Sequence, residues 1–204
     1  MPPRFSSHPL IPDVLFVTLH VWEDARGWFA ETYKTSDYLV GGVDLVFVQE
    51  NQSVSTSRFV LRGLHYQVEP RAHAKLVRCL EGQIFDVAVD LRRDSPTYRR
   101  YASTVLSGTE PRCLWIPKGF AHGFLTLTER ASVLYKQTAE YSPAHERAVR
   151  WNDPALNIAW PLGGAQPLLS EKDEHAPLLV EMEAVDRAGT NGRSASRGSF
   201  EDRK

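Results

Sequence analysis

Cysteine is scarce in this chain: Cys79 and Cys113 are the only two in 204 residues. Two thiols cannot build a disulfide framework, nor a cysteine-based zinc site on their own. Long apolar runs are also missing. No stretch approaches the ~18–20 residues of a bilayer-spanning helix. The start, Met1-Pro2-Pro3-Arg4-Phe5, lacks the apolar segment of a secretory signal. A soluble, cytoplasmic protein with no membrane association is expected. Excess charge of either sign is absent. The 24 Lys+Arg against 25 Asp+Glu leave a net charge of -1, which argues against the broad basic face that a nucleic-acid polymer needs. Within the cations lysine is rare, 6 against 18 arginines. Arg187, Arg193, Arg197 and Arg203 fall in a C-terminal stretch poor in apolar residues, so part of that skew reflects the tail.

What is present is strand signal. Short runs rich in β-branched and aromatic residues lie at 43–48, 76–80, 83–91, 102–106, 112–116, 123–127 and 131–138. Turn-forming residues close each of them. Glu81-Gly82 has the chemistry of a two-residue hairpin, and Thr128-Glu129-Arg130 that of a second short reversal. Strands at this spacing predict an all-β sandwich or barrel. Helical signals are few: a turn or two over 34–39 capped by Thr35 or Ser36, and a short helix after Ser170 with Asp173 at its third position. Residues 1–185 are expected to form one domain, and 186–204 a disordered tail that cannot bury enough surface to repay its ordering entropy.

Two of the seven histidines stand in distinctive settings. His122 ends Pro117-x-Gly119-x-x-His122, which looks like the second signature of cupins, small double-sheet barrels. The first cupin signature needs His-x-His closely followed by Glu. Here it reads His65-Tyr66-Gln67-Val68-Glu69, so Gln67 replaces a ligand and the facial set for iron or manganese is broken. No metal is expected. Taken alone, each histidine is as readily explained as a buried, hydrogen-bonded side chain.

A longer set of blocks carries a stronger resemblance. It runs from Asp24-x-Arg26-Gly27-x-Phe29-x-Glu31 through Gln49-Glu-Asn51, Leu61-Arg62-Gly63-Leu64-His65-Tyr66-Gln67 and Ala74-Lys75-Leu76-Val77-Arg78. It continues with Phe85-Asp86, Trp115-Ile-Pro117-x-Gly119-Phe-Ala-His122-Gly123-Phe124, Leu134-Tyr135-Lys136, Tyr141-Ser-Pro143, Trp151-Asn-Asp153-Pro and Leu169-Ser-x-Lys172-Asp173. In this order and spacing the chain resembles the dTDP-4-dehydrorhamnose 3,5-epimerase family, from about Ile11 to Leu179.

The resemblance implies a jelly-roll barrel and a homodimer whose N-terminal strands reach across to the partner. It implies epimerisation of a dTDP-4-keto-6-deoxyhexose with no metal and no redox cofactor. By the same carry-over His65 is the base and Asp173 its orienting carboxylate. Lys75 stabilises the enolate oxygen, with Asp86 close enough to orient it. Tyr135 is the acid and Tyr141 stacks on the thymine, though which tyrosine is the acid stays open. Arg62 and Lys172 meet the diphosphate, His122 the sugar or phosphate, and Arg26, Glu31, Gln49, Asn51 and Glu146 hold the nucleotide, some of them from the partner.

The chemistry needs these residue types. A hydrogen beside a ketone is a weak acid, and its removal requires a base, a donor for the enolate oxygen and an acid on the other face. Imidazole, with a reference pKa of ~6.5, suits abstraction near neutral pH, and a phenol at ~10 is protonated at rest. Plain alternatives exist. Asp173 could be only a cap residue, Tyr135 only a barrel aromatic, and Arg26 with Glu31 a surface ion pair of little worth. Alternation sets Asp86 on the face of Ile84 and Ala88, which is either solvent or the barrel mouth. Strict alternation also puts Arg62 and His65 on opposite faces, so Gly63 between them is expected to mark a bulge that resets the register. The activity alternatives are a single-centre epimerase acting at C3 or C5 only, a non-catalytic sugar-nucleotide-binding cupin, and a metal-dependent cupin enzyme.

Overall fold

Two antiparallel sheets face each other in the computed structural model, which describes residues 1–184. The expected disordered tail at 186–204 lies outside the described residues. One sheet has six strands in the order β1 (Arg4–Ser7), β2 (Leu15–Thr18), β10 (Arg112–Ile116), β7 (Lys75–Glu81), β12 (Ala131–Gln137), β5 (Gln49–Ser55). The other has five: β13 (Glu146–Ala148), β6 (Leu61–Gln67), β11 (Phe120–Thr126), β8 (Gln83–Asp90), β9 (Tyr101–Ser107). A separate hairpin joins β3 (Trp22–Asp24) to β4 (Gly27–Phe29). Helices are short: α1 (Thr35–Val40), α2 (Glu171–Glu174) and a turn at 179–184. This is the all-β sandwich that the strand pattern predicts, in the jelly-roll form that the family resemblance implies. No helix among the described residues is long and apolar enough to cross a membrane.

Three apolar layers hold it together. Val77, Leu114 and Val133 from the six-stranded sheet meet Ile84, Ala88 and Phe124 from the five-stranded sheet in the barrel interior. Outside the first sheet, Val17, Leu76, Cys113 and Trp115 pack under Tyr38 and Val43. Outside the second, Leu64, Val87, Val89 and Ala121 pack under Val149, Leu156, Leu179 and Met182. Both sheets are therefore covered on both faces over much of their area, which explains the nearly continuous apolar runs in their central strands.

Three local expectations are corrected. Glu81-Gly82 does not close a hairpin, because β7 belongs to one sheet and β8 to the other. The chain arches across the sandwich there, with Gly82 at φ 72, and a Cβ on it would sit 2.0 Å from the Arg130 carbonyl oxygen. The reversal at Thr128–Arg130 is a second arch, and the two pack together: the Gln83 N–H donates to Thr128 Oγ1 at 3.0 Å. Next, 43–48 is not a strand. Val43 is buried under α1, and the strand is the polar segment that follows, β5. Finally, α1 begins after Lys34 with no side-chain cap, so neither Thr35 nor Ser36 serves as one. The cap at Ser170 is present, its hydroxyl accepting from the Asp173 N–H. Within one protomer β1 pairs with β2 of its own chain, Arg4 opposite Thr18.

Candidate active site

The site begins with a bulge. β6 and β11 pair with His65 opposite His122 and Arg62 opposite Phe124, so Gly63 and Leu64 together face Gly123. The extra residue resets the alternation. Leu64 enters the outer core, while Arg62 and His65 both line the cavity between the sheets. Gly63 sits at φ 125, and a Cβ there would lie 2.5 Å from Gly123 Cα and 2.8 Å from the His122 carbonyl oxygen. Backbone blocks both contacts. Gly63→Ala is therefore expected to cost about 2–4 kcal/mol of stability and most activity. A denaturant melt within about 1 kcal/mol of wild type would contradict this reading of the bulge.

The cavity, about 270 Å³, is lined by Ser53, Arg62, His65, Lys75, His122, Phe124, Tyr135, Ser170 and Asp173. It holds two imidazole–carboxylate pairs. His65 Nε2 lies 2.7 Å from Asp173 Oδ1. Ser170 Oγ donates to the other Asp173 oxygen at 2.8 Å. Burial alone would raise the Asp173 carboxyl, but contact with His65 and the Ser170 bond outweigh it and hold the pKa below the usual range. Asp173 is thus both the third residue of a capped turn and the partner of His65.

The second pair is His122 Nε2 with Asp86 Oδ1 at 2.6 Å. Asp86 is fully buried, so the face it shares with Ile84 and Ala88 is the barrel interior, not solvent. Burial lowers the His122 pKa despite the pull of Asp86, leaving a neutral ring. The expected pairing of Asp86 with Lys75 is corrected in part. Its hydrogen-bond partner is His122, and it acts on Lys75 through charge. Lys75 Nζ donates to the His65 carbonyl oxygen at 3.4 Å and stands 5.9 Å from the Tyr135 ring centre. Burial drops its pKa to about 8, with Asp86 and Glu146 resisting. Burial also raises the Tyr135 phenol, with Arg62 opposing, so the phenol keeps its proton at neutral pH.

A second tier lies at the rim. The Tyr141 hydroxyl donates to Glu146 Oε2 at 2.6 Å, and Lys172 Nζ meets the same oxygen at 2.6 Å. Gln49 Oε1 accepts the Tyr141 N–H at 2.7 Å, and Gln49 Nε2 donates to Asn51 Oδ1 at 3.0 Å. Arg26 and Glu31 are not brought to the cavity. Arg26 is exposed on the β3–β4 hairpin and paired with Asp24, and Glu31 is exposed. Sequence reasoning missed Ser53 and Phe124 as lining residues. Both sit two residues from a named position on the same strand, Ser53 after Asn51 and Phe124 after His122, and strand alternation could have found them. Among the described residues no group of three or more His, Cys, Asp or Glu could hold a metal ion.

A small jelly roll with imidazole and carboxylate groups buried between its sheets is a cupin-type barrel. The sequence profile of dTDP-4-dehydrorhamnose 3,5-epimerase matches residues 9–181. The chain is 50% identical over 171 residues to the enzyme of that name from Salmonella typhimurium, covering 83% of this chain and 92% of that one. A crystal structure of the Legionella pneumophila dTDP-6-deoxy-D-glucose-3,5-epimerase in complex with dTDP-4-keto-L-rhamnose superposes with TM-score 0.84 at 41% identity, covering 90% of this chain and 96% of that one. A 3'-monoepimerase from Streptomyces bikiniensis in complex with dTDP-quinovose gives 0.82 at 32% identity, covering 95% and 100%. The chain belongs to the dTDP-4-dehydrorhamnose 3,5-epimerase family, a family of isomerases.

Proposed function

We propose that the protein epimerises a dTDP-4-keto-6-deoxyhexose at C3 and C5. The observation that carries this is the split of the acid–base groups between the two sheets. His65 enters the cavity from β6 in one sheet, and Lys75 and Tyr135 enter from β7 and β12 in the other. A planar enolate held between them is reached by a base on one side and a phenol on the other, which is what inversion requires.

His65 takes the proton beside the ketone, and the C–H electron pair moves onto the C4 oxygen. Asp173 stabilises the imidazolium. Lys75, itself buried, donates to the enolate oxygen where a cation is worth more than in water. Tyr135 then gives its proton to the opposite face and the ketone re-forms. Arg62 at the cavity wall suits a diphosphate oxygen pair, and Tyr141 at the rim suits the nucleobase. The exposed Tyr141 hydroxyl is committed to Glu146, which favours Tyr135 as the acid. Tyr135→Phe is expected to lower turnover about 10²-fold or more with KM little changed. Tyr141→Phe keeps the ring and should retain most turnover. The reverse ranking in steady-state assays would exchange the two roles.

Arg26 and Glu31 complete the nucleotide site from the partner of a homodimer. Support comes from the exposed apolar residues beside Arg26, with Trp28 55% and Phe29 64% accessible. A monomeric mass by light scattering would contradict it. The similarity to a monoepimerase keeps a single-centre reaction as the second reading. NMR of the product from dTDP-4-keto-6-deoxyglucose separates them: inversion at both carbons is expected, and inversion at one alone overturns the two-centre reading.

A further inference from the structure

Gln67 stands where the metal-binding cupin signature has its second histidine, and it is only 3% exposed. Its hydrogen-bonding groups engage three main-chain groups in two separate loops. The amide nitrogen donates to the Arg71 carbonyl oxygen at 2.7 Å, in the loop that leads into Lys75. It also donates to the Glu140 carbonyl oxygen at 3.2 Å. The amide oxygen accepts the Ser142 N–H at 2.6 Å. Glu140 and Ser142 flank Tyr141. Gln67 itself lies two residues from His65 on β6, opposite Glu146 on β13. One buried amide therefore ties the strand of the base to the loop before the cation and to the loop that presents Tyr141.

We infer that Gln67 is a positioning residue that sets the Tyr141 loop for nucleotide binding, an inference that rests on Tyr141 meeting the nucleobase. Only a primary amide satisfies the arrangement: two donors face two carbonyl oxygens and one acceptor faces an N–H. An imidazole has too few groups for three partners. A carboxylate places negative charge against two carbonyl oxygens, and a thioether or alkyl chain pairs with none of the three backbone groups. Two of the three bonds hold the Tyr141 loop and one holds the loop before Lys75, so binding suffers more than turnover.

The test compares Gln67→Met, which keeps the volume, with Gln67→Glu and Tyr141→Ala. The readouts are dTDP affinity by calorimetry, and kcat and KM on the dTDP-sugar. Gln67→Met is expected to weaken dTDP binding and raise KM by about tenfold, with a smaller change in kcat. Gln67→Glu is expected to be worse at pH 8 and to recover toward wild-type affinity as pH falls to about 5.5, since burial raises a carboxyl above its reference ~4.3 and the protonated form restores one donor and one acceptor. The same variant keeps the test informative if Gln67→Met does not fold, because dTDP affinity equal to wild type in Gln67→Glu at pH 8 overturns the inference. Unchanged dTDP affinity in the Gln67 variants beside a weakened Tyr141→Ala overturns the inference alone. Unchanged affinity in Tyr141→Ala overturns the reading of Tyr141 and the inference with it.

Discussion

Lys75→Met is expected to lose turnover by on the order of 10²–10³-fold while melting no lower than wild type. The two effects share a cause. Lys75 is 7% exposed, and burial has pulled its pKa from 10.5 to about 8. A group whose charged form is disfavoured by the fold costs stability wherever it stays protonated. Below about pH 8 both folded and unfolded chains carry the charge, and the folded chain bears the full cost. Between about 8 and 10.5 the folded chain sheds the proton first, so this contribution to stability rises with pH. Activity moves the other way. The neutral amine cannot stabilise an enolate as a cation does, so kcat/KM should fall as pH climbs through about 8. Methionine keeps the volume and removes the desolvation cost. A variant that melts well below wild type, or one that retains turnover, would contradict the role given to Lys75. Lys75→Arg, if it turns over at all, should carry its alkaline limb to higher pH because guanidinium stays charged.

His65→Ala is expected to reduce turnover by about 10³–10⁴-fold, the upper range for a general base. The fold should persist, since His65 is only partly buried and its ionic contact is with Asp173 at the cavity wall. Asp173→Asn is the finer probe. It preserves shape and the capped turn but removes the charge that stabilises the imidazolium, so it should act as a smaller version of the same loss. The carboxylate has a second attachment through Ser170, so Ser170→Ala is a control for the cap alone. Equal activity in His65→Ala and wild type would remove the base from the mechanism.

The strands of the core were legible because their apolar residues repeat with the right lengths and turn punctuation, and 112–116 coincides with β10. What misled was long-range. An arch between two sheets and a hairpin within one use the same local chemistry, a left-handed glycine after a short strand, so Glu81-Gly82 carries no information about which sheet β8 joins. β5 was hidden because its residues face the cavity and its rim rather than the core. Gln49, Asn51 and Ser53 are polar where a core strand would be apolar. The face of Asp86 was ambiguous because β8 is covered on both sides, which erases the contrast that alternation needs. The bulge at Gly63 was legible because Arg62 and His65, two candidate site residues of opposite parity, flank a glycine. The place of Gln67 could be seen only as a missing metal ligand, since its partners are main-chain groups of distant loops.

Solvent-hydrogen exchange tests the central claim most directly. Wild type incubated with dTDP-4-keto-6-deoxyglucose in heavy water should place deuterium at both C3 and C5 by proton NMR, and His65→Ala should show none beyond the uncatalysed background. A wild-type protein that binds the sugar nucleotide without exchanging either hydrogen, or a His65→Ala variant that exchanges both at the wild-type rate, would contradict proton abstraction by His65.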